Sequence, residues 1–216
     1  MDDLGEVSYV LGIKITRNRA LQTIALSQEL YIDKILKEYG MEDCKSVVTP
    51  MIQNERLTPA IAEDEVSGFD YRKAVGLLNY LSTCTQPDVS FITSALSQFL
   101  EKPTAKHVLA FKRVLRYLQG TNKEALILGG KGSDDEIVGF CDSDWGSNFD
   151  GRSFSGYGLM YGGLTTWKTK KQPTVALSTT EAELKAMTEL LQDVIWVKGL
   201  MMILTNANDN LDNLKS

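Results

Sequence analysis

Residues 9 to 16 alternate, with Tyr9, Leu11, Ile13 and Ile15 on one face, which predicts a strand. The polar run 17–22 turns the chain, and 23–27 reads as its hairpin partner. The period then lengthens. Ser27 can cap a helix carrying Tyr31, Ile35 and Tyr39, which Gly40 ends. Residues 41–68 hold two Thr-Pro steps and the acidic run Glu63, Asp64, Glu65, and read as a long loop or internal linker. Three helices are predicted next. The first presents Val75, Leu78 and Leu81. The second opens at Pro87 and Asp88 and presents Val89, Ile92, Leu96 and Phe99. The third runs from Pro103 to Gly120.

A Gly-rich, acidic step within 121–135 marks the expected boundary between units 1–120 and 121–216. Beyond it, 136–145, 155–163 and 164–171 read as three strands joined by short turns. A long helix from Ser178 to Leu204 follows, and the last twelve residues, polar and without period, read as a loop or frayed end. The expected class is α+β: an N-terminal hairpin with a helical bundle, then three antiparallel strands and one long helix.

Bulk composition narrows the function less than the pattern does. A hydrophobic fraction of 43% and a charged fraction of 24% exclude low complexity and global disorder. The net charge of −5 places any nucleic-acid contact on a local patch rather than on the whole surface. The N-terminal residues have no apolar core of a signal peptide, and no apolar run reaches the roughly 20 residues of a membrane span. An intracellular, cytoplasmic or nuclear, protein with no membrane partner is expected. Cys44, Cys84 and Cys141 are odd in number and far apart, which suits buried reduced thiols better than disulfides or zinc.

The local basic patch is the third predicted helix. Lys102, Lys106, Lys112, Arg113, Arg116 and Lys123 follow one another with no acid between them. At about 100° per residue, Lys102, Lys106, Arg113 and Arg116 fall within about 80°, opposite Val108, Phe111, Leu115 and Leu118. Such a ridge is either a solvated face or a sequence-independent contact to a duplex backbone. His107, the only histidine, has no partner His or Cys and is expected to be structural or at the surface.

Carboxylates supply the other candidate chemistry. In the strand 136–145, Val138, Phe140, Asp142 and Asp144 share one face; Ile137, Gly139, Cys141 and Trp145 take the other. Two strand-end carboxylates need hydrogen bonds or a cation, or else Asp144 serves the chain reversal. On the long helix Ser178 and Glu181 fit a capping box. Glu183 instead heads an apolar stripe of Met187, Leu190, Val194, Val197 and Met201 and should face the sheet. That position suits a divalent-metal ligand, or a carboxylate reaching water from the helix mouth.

GFCDSDWGSN, RSFSGYGLMYGG, TTWKTKKQPTVALSTTEAE and WVKGLMMIL resemble, in order, the first three strands and first helix of the ribonuclease H domain of copia-type retrotransposon Pol polyproteins. YVLGIKI, LSQELYIDKIL, YRKAVGLLNYLSTCTQPDVSF and LSQFLEKPTAKHVLAFKRVLRYLQGT resemble the region after the reverse transcriptase palm in the same polyproteins. The resemblance covers nearly the whole chain. It implies a reverse transcriptase C-terminal, thumb- or connection-like unit over 1–120 and an incomplete ribonuclease H-like unit over 121–216.

The resemblance also implies roles. Asp142 matches the first catalytic aspartate and Glu183 the catalytic glutamate; Asp144, from its place at the strand end, is a further candidate metal ligand. Mg2+ or Mn2+ would be the cofactor and an RNA–DNA hybrid the substrate. Lys102, Lys106, Lys112, Arg113 and Arg116 would hold nucleic acid. The palm's Tyr-x-Asp-Asp is absent, and Asp209-Asn210 and Asp212-Asn213 lack the preceding strand of the family's third acid. The chain is therefore expected to be catalytically incomplete, to bind nucleic acid weakly, and to expose the edge of the Asp142 strand, through which it could self-associate. The remainder of Pol is its expected partner. Three other readings stand beside this one. The first is an active metal nuclease using Asp142, Glu183 and Asp144 or Asp209. The second is a non-catalytic secreted effector, because Arg113-Val-Leu-Arg116 matches the Arg-x-Leu-Arg string of oomycete effectors. The third is a reading frame with no selected function.

Overall fold

In the computed structural model, residues 5–53, 55–60, 66, 68–130 and 136–213 are described, with the side chains of the last helix described as far as Leu204. The expected strand over 9–16 is two strands, β1 (Tyr9–Val10) and β2 (Ile13–Asn18). Leu11 and Gly12 both have positive φ and reverse the chain between them. The alternation hid this turn, because Leu11 keeps the apolar period while standing 82% exposed. β3 (Thr23–Ser27) pairs with β2, as expected of a hairpin. α1 (Glu29–Glu38) begins one residue later than its expected cap. Gln28 is the N-cap, and Ser27 Oγ accepts from the Glu29 amide at 3.3 Å. Its buried residues are Ile32, Ile35 and Leu36, whereas Tyr31 and Tyr39 are half-buried.

α2 (Tyr71–Cys84) starts where Asp70 accepts from the Lys73 amide at 3.0 Å. A 3-10 turn (Pro87–Val89) leads into α3 (Ser90–Ser97), and α4 (Ala105–Thr121) follows. Their apolar stripes meet as the period requires: Val75, Leu78, Leu81, Ile92, Leu96, Phe111, Leu115 and Leu118 form the main core with α1. The expected boundary segment contains β4 (Leu126–Gly129), which pairs antiparallel with β3. The first sheet thus runs β1-β2-β3-β4, and residues 126–129 belong to it by hydrogen bonding. Nothing local in the sequence signals a pairing across about a hundred residues.

The second sheet is antiparallel, in the order β5 (Val138–Ser143), β6 (Phe154–Met160), β7 (Leu164–Lys171). β5 is an edge strand among the described residues. α5 (Thr179–Asn213) packs across β5 and β6, with Leu190 and Val197 against Tyr157 and Leu159. The helix continues past Leu204, where a loop or frayed end was expected. Adding a residue to an existing helix costs little, so poor local propensity need not stop it. The overall class is mixed α and β, with two antiparallel sheets and five α-helices among the described residues. Among these residues no helix is long and apolar enough to cross a membrane. Cys44, Cys84 and Cys141 are free, and each is half-buried rather than fully buried.

Candidate functional site

Strand β5 positions the first carboxylate. The Asp144 amide donates to the Phe154 carbonyl at 3.2 Å, so amides of even-numbered β5 residues point toward β6. Those of Gly139, Cys141 and Ser143 therefore point to the open edge. A side chain from α5 meets one of them: Ser143 N–H donates to Glu183 Oε1 at 3.3 Å. Ser178 and Glu181 fix where α5 starts. The Glu181 amide donates to Ser178 Oγ at 3.1 Å, and Glu181 Oε2 accepts from the Leu177 amide at 2.8 Å. Lys185 Nζ lies 2.7 Å from Glu181 Oε1 and holds that carboxyl below its usual range. Glu181 is thus occupied by the helix start, and Glu183, two residues on, is turned toward the sheet.

Asp142 sits on the opposite pleat from the α5-facing residues. Ile137 and Cys141 pack on the Leu190 core, while Val138, Phe140 and Asp142 are exposed. Gly156 is the register partner of Asp142, and a Cβ there would find no atom within 4 Å. The Asp142 carboxylate thus stands beside open space. Burial pushes the Cys141 thiol up, and Glu183 and Asp142 add to the rise, so both carboxylates act on one sulfur. The structure brings Asp142 and Glu183 to the same strand end.

Asp144 does not join them as a free carboxylate. Its oxygens accept from Ser147 Oγ and from the Phe154 amide, so it ties the β5–β6 turn. Those bonds give Asp144 a sufficient structural task in the chain reversal, the alternative that the sequence left open beside metal ligation. Among the described residues no group of three or more His, Cys, Asp or Glu is arranged to hold a metal ion. Asp209 falls where only the backbone of α5 is described.

The basic ridge divides in two. Lys102 precedes α4, so the helical wheel does not reach it. Lys106 and Lys112 are exposed. Arg113 and Arg116 are half-buried and bind a strap formed by 45–49. Arg113 Nη2 donates to Thr49 Oγ1 at 2.9 Å and Arg116 Nε to the Lys45 carbonyl at 2.7 Å. The Val47 amide returns a 3.4 Å bond to the Arg116 carbonyl. His107 is structural, in line with expectation. It is fully buried at the start of α4, where Nδ1 accepts from the Thr104 amide at 2.9 Å and the ring stacks on Phe99 at 4.0 Å. Sequence reasoning missed the strap. The Thr-Pro steps were its visible trace, but nothing local says which helix face a loop will cover.

No family model and no solved structure matches the chain. Curated relatives do. The retrovirus-related Pol polyprotein from transposon TNT 1-94 of Nicotiana tabacum is 39% identical over 209 residues, 93% of this chain. The chain spans only 16% of that polyprotein. An uncharacterised mitochondrial protein of Arabidopsis thaliana, AtMg00810, is 38% identical over 91% of this chain and 80% of its own length. Secreted RxLR effector protein 161 of Plasmopara viticola is 43% identical over 59% of this chain and 90% of its own length. With relatives spread over nearly all its length, this chain belongs to the family of copia-type retrotransposon Pol polyproteins.

Proposed function

We propose that this retrotransposon-derived segment joins the C-terminal region of a reverse transcriptase to a ribonuclease H-like unit, and that its own task is to hold an RNA–DNA hybrid. The observation that carries the reading is the bond from the Ser143 amide to Glu183 at the end of the strand that bears Asp142. Asp142 and Glu183 are the residues that would hold divalent metal in such a unit. Bound Mg2+ or Mn2+ would there activate water and neutralise charge on the leaving oxygen. Two carboxylates are fewer than a pair of ions needs, so the described residues do not complete that centre on their own.

Lys106 and Lys112 are open to a phosphate backbone. A ridge of this size supports sequence-independent binding that salt weakens, with a log–log slope of about −2 to −3. The effector reading finds less support. In Arg113-Val-Leu-Arg116 the leucine is fully buried and both arginines are tied to the strap, so the string is a helix-packing pattern.

Fluorescence anisotropy of a labelled RNA–DNA hybrid across a salt series tests the proposal, alongside a cleavage assay in Mg2+ and in Mn2+. Weak binding lost at high salt, reduced in Lys106→Gln and Lys112→Gln, with no rapid cleavage, is the expected result. Tight binding at high salt, or fast cleavage abolished by Asp142→Asn, would overturn it.

A further inference from the structure

We propose that Thr49 is a phosphorylation site, with Arg113 built to receive the phosphate. Thr49 is exposed, lies in an irregular segment, and is followed by Pro50, which fixes the local backbone. Its hydroxyl oxygen already accepts from Arg113 Nη2 at 2.9 Å. The Nε–H of the same guanidinium is buried and has no hydrogen-bond partner. Leaving a buried charged donor unsatisfied is costly, and a nearby anion would remove that cost. Among the described residues no carboxylate lies within ion-pair distance of Arg113, Arg116, Lys45 or Lys112. The Arg113 guanidinium thus meets the Thr49 hydroxyl with no ion-pair partner of its own among the described residues.

A phosphothreonine would supply close to two negative charges and three strong acceptor oxygens at that point. Arg113 can then turn one neutral contact into a forked, charge-assisted pair. The reaction transfers the terminal phosphoryl group of ATP. An O–P bond forms at Thr49 Oγ1, the P–O bond to the departing ADP breaks, and the hydroxyl proton passes to the base of a proline-directed Ser/Thr kinase. The strap, pinned at Lys45 and Val47 by Arg116, would be locked along its length. Thr58-Pro59, the second Thr-Pro step, is the internal contrast: its side chain accepts from no guanidinium or ammonium among the described residues.

The test needs no nucleic acid, so its outcome is separate from that of the duplex-binding proposal. The full chain is treated with a proline-directed Ser/Thr kinase and ATP, the modified residue is located by tandem mass spectrometry, and melting is compared before and after. Phosphate is expected on Thr49, with a rise in Tm of about 2–4 °C for a chain of this size. Thr49→Ala should lose the phosphate and the rise. Arg113→Gln should accept the phosphate but show little or no rise. Arg113→Lys, which keeps the charge without the fork, guards against a folding defect and should show a smaller rise than the parent. No phosphate on Thr49, or an equal rise in both Arg113 variants, would overturn the proposal.

Discussion

His107 shows how much one side chain can carry without chemistry. Its ring closes the start of α4 by accepting from the Thr104 amide, and stacks on Phe99 inside the core. Burial pushes the imidazole below the usual 6.5, Lys106 pushes the same way, and a backbone contact with Thr58 opposes them. A ring that accepts at Nδ1 must also be neutral to do its work. As pH falls through 6.5, the unfolded chain therefore takes up a proton before the folded one does. The stability that His107 contributes is complete above 6.5 and is lost as pH drops toward its lower folded value. Urea unfolding from pH 7.5 to 5.5 should show a declining midpoint, and His107→Gln should flatten that decline. An unchanged slope in the variant, or an imidazole NMR titration above 6.5, would count against this account. This is the chain's only histidine, so the titration is free of overlap.

At the scale of elements, α2, α3 and α4 were legible because each buries one stripe at helical period, from Val75 to Leu118. Glu183 was legible in part: Leu190 and Val197 of its predicted stripe are buried against the sheet, whereas Met187 is exposed and Ala182 and Ala186 are buried in its stead. The fate of Asp144 was not, because it depends on the amide of Phe154, ten residues away across a turn. Nor was the pairing of β4 with β3, which no local pattern specifies. Gly139 is a case where sequence says little and packing says much. A Cβ there would come within 2.8 Å of Leu190 Cδ2 and 3.3 Å of its Cγ. The Leu190 side chain of α5 therefore packs directly on the bare backbone of Gly139, four residues before the Ser143 amide that Glu183 meets. Gly139→Ala should cost about 1–3 kcal/mol by overpacking and loosen the Glu183 contact. Gly156→Ala, with open space around it and ordinary φ, should be neutral or stabilising by up to about 1 kcal/mol. Chemical denaturation of the two variants checks the pair, and equal losses would refute the close-approach argument.

The whole molecule raises the question of whether its second half stands alone. The sheet β5-β6-β7 and α5 share a small core of Tyr157, Leu159, Leu190 and Val197. On the other side of that sheet Phe140 is 60% exposed and Val138 is also open. So little buried apolar surface is a poor basis for independent folding. The larger core makes up part of the difference. Phe154, at the start of β6, is 6% exposed and belongs to the helical core, with its ring 5.2 Å from that of Phe91. Trp167 Nε1 donates to the Ser82 carbonyl at 2.6 Å, and Gln98 Oε1 accepts from both Asn148 and Lys171 at 2.8 Å. These ties fasten the start of β6, beside the strand end bearing Asp142, and β7 to α2 and α3. They also predict a single cooperative melt of the wild-type chain, since opening the second half would expose Phe154 and break the Gln98 bonds. Phe154→Ala should cost about 3–5 kcal/mol and release the second half, so that calorimetry shows an earlier, separate transition. Amide exchange should then quicken across β5 to β7 while α2 and α4 stay protected. Two transitions already present in the wild type, or a variant that still melts as one unit with little loss, would show that the halves are coupled by something other than this ring.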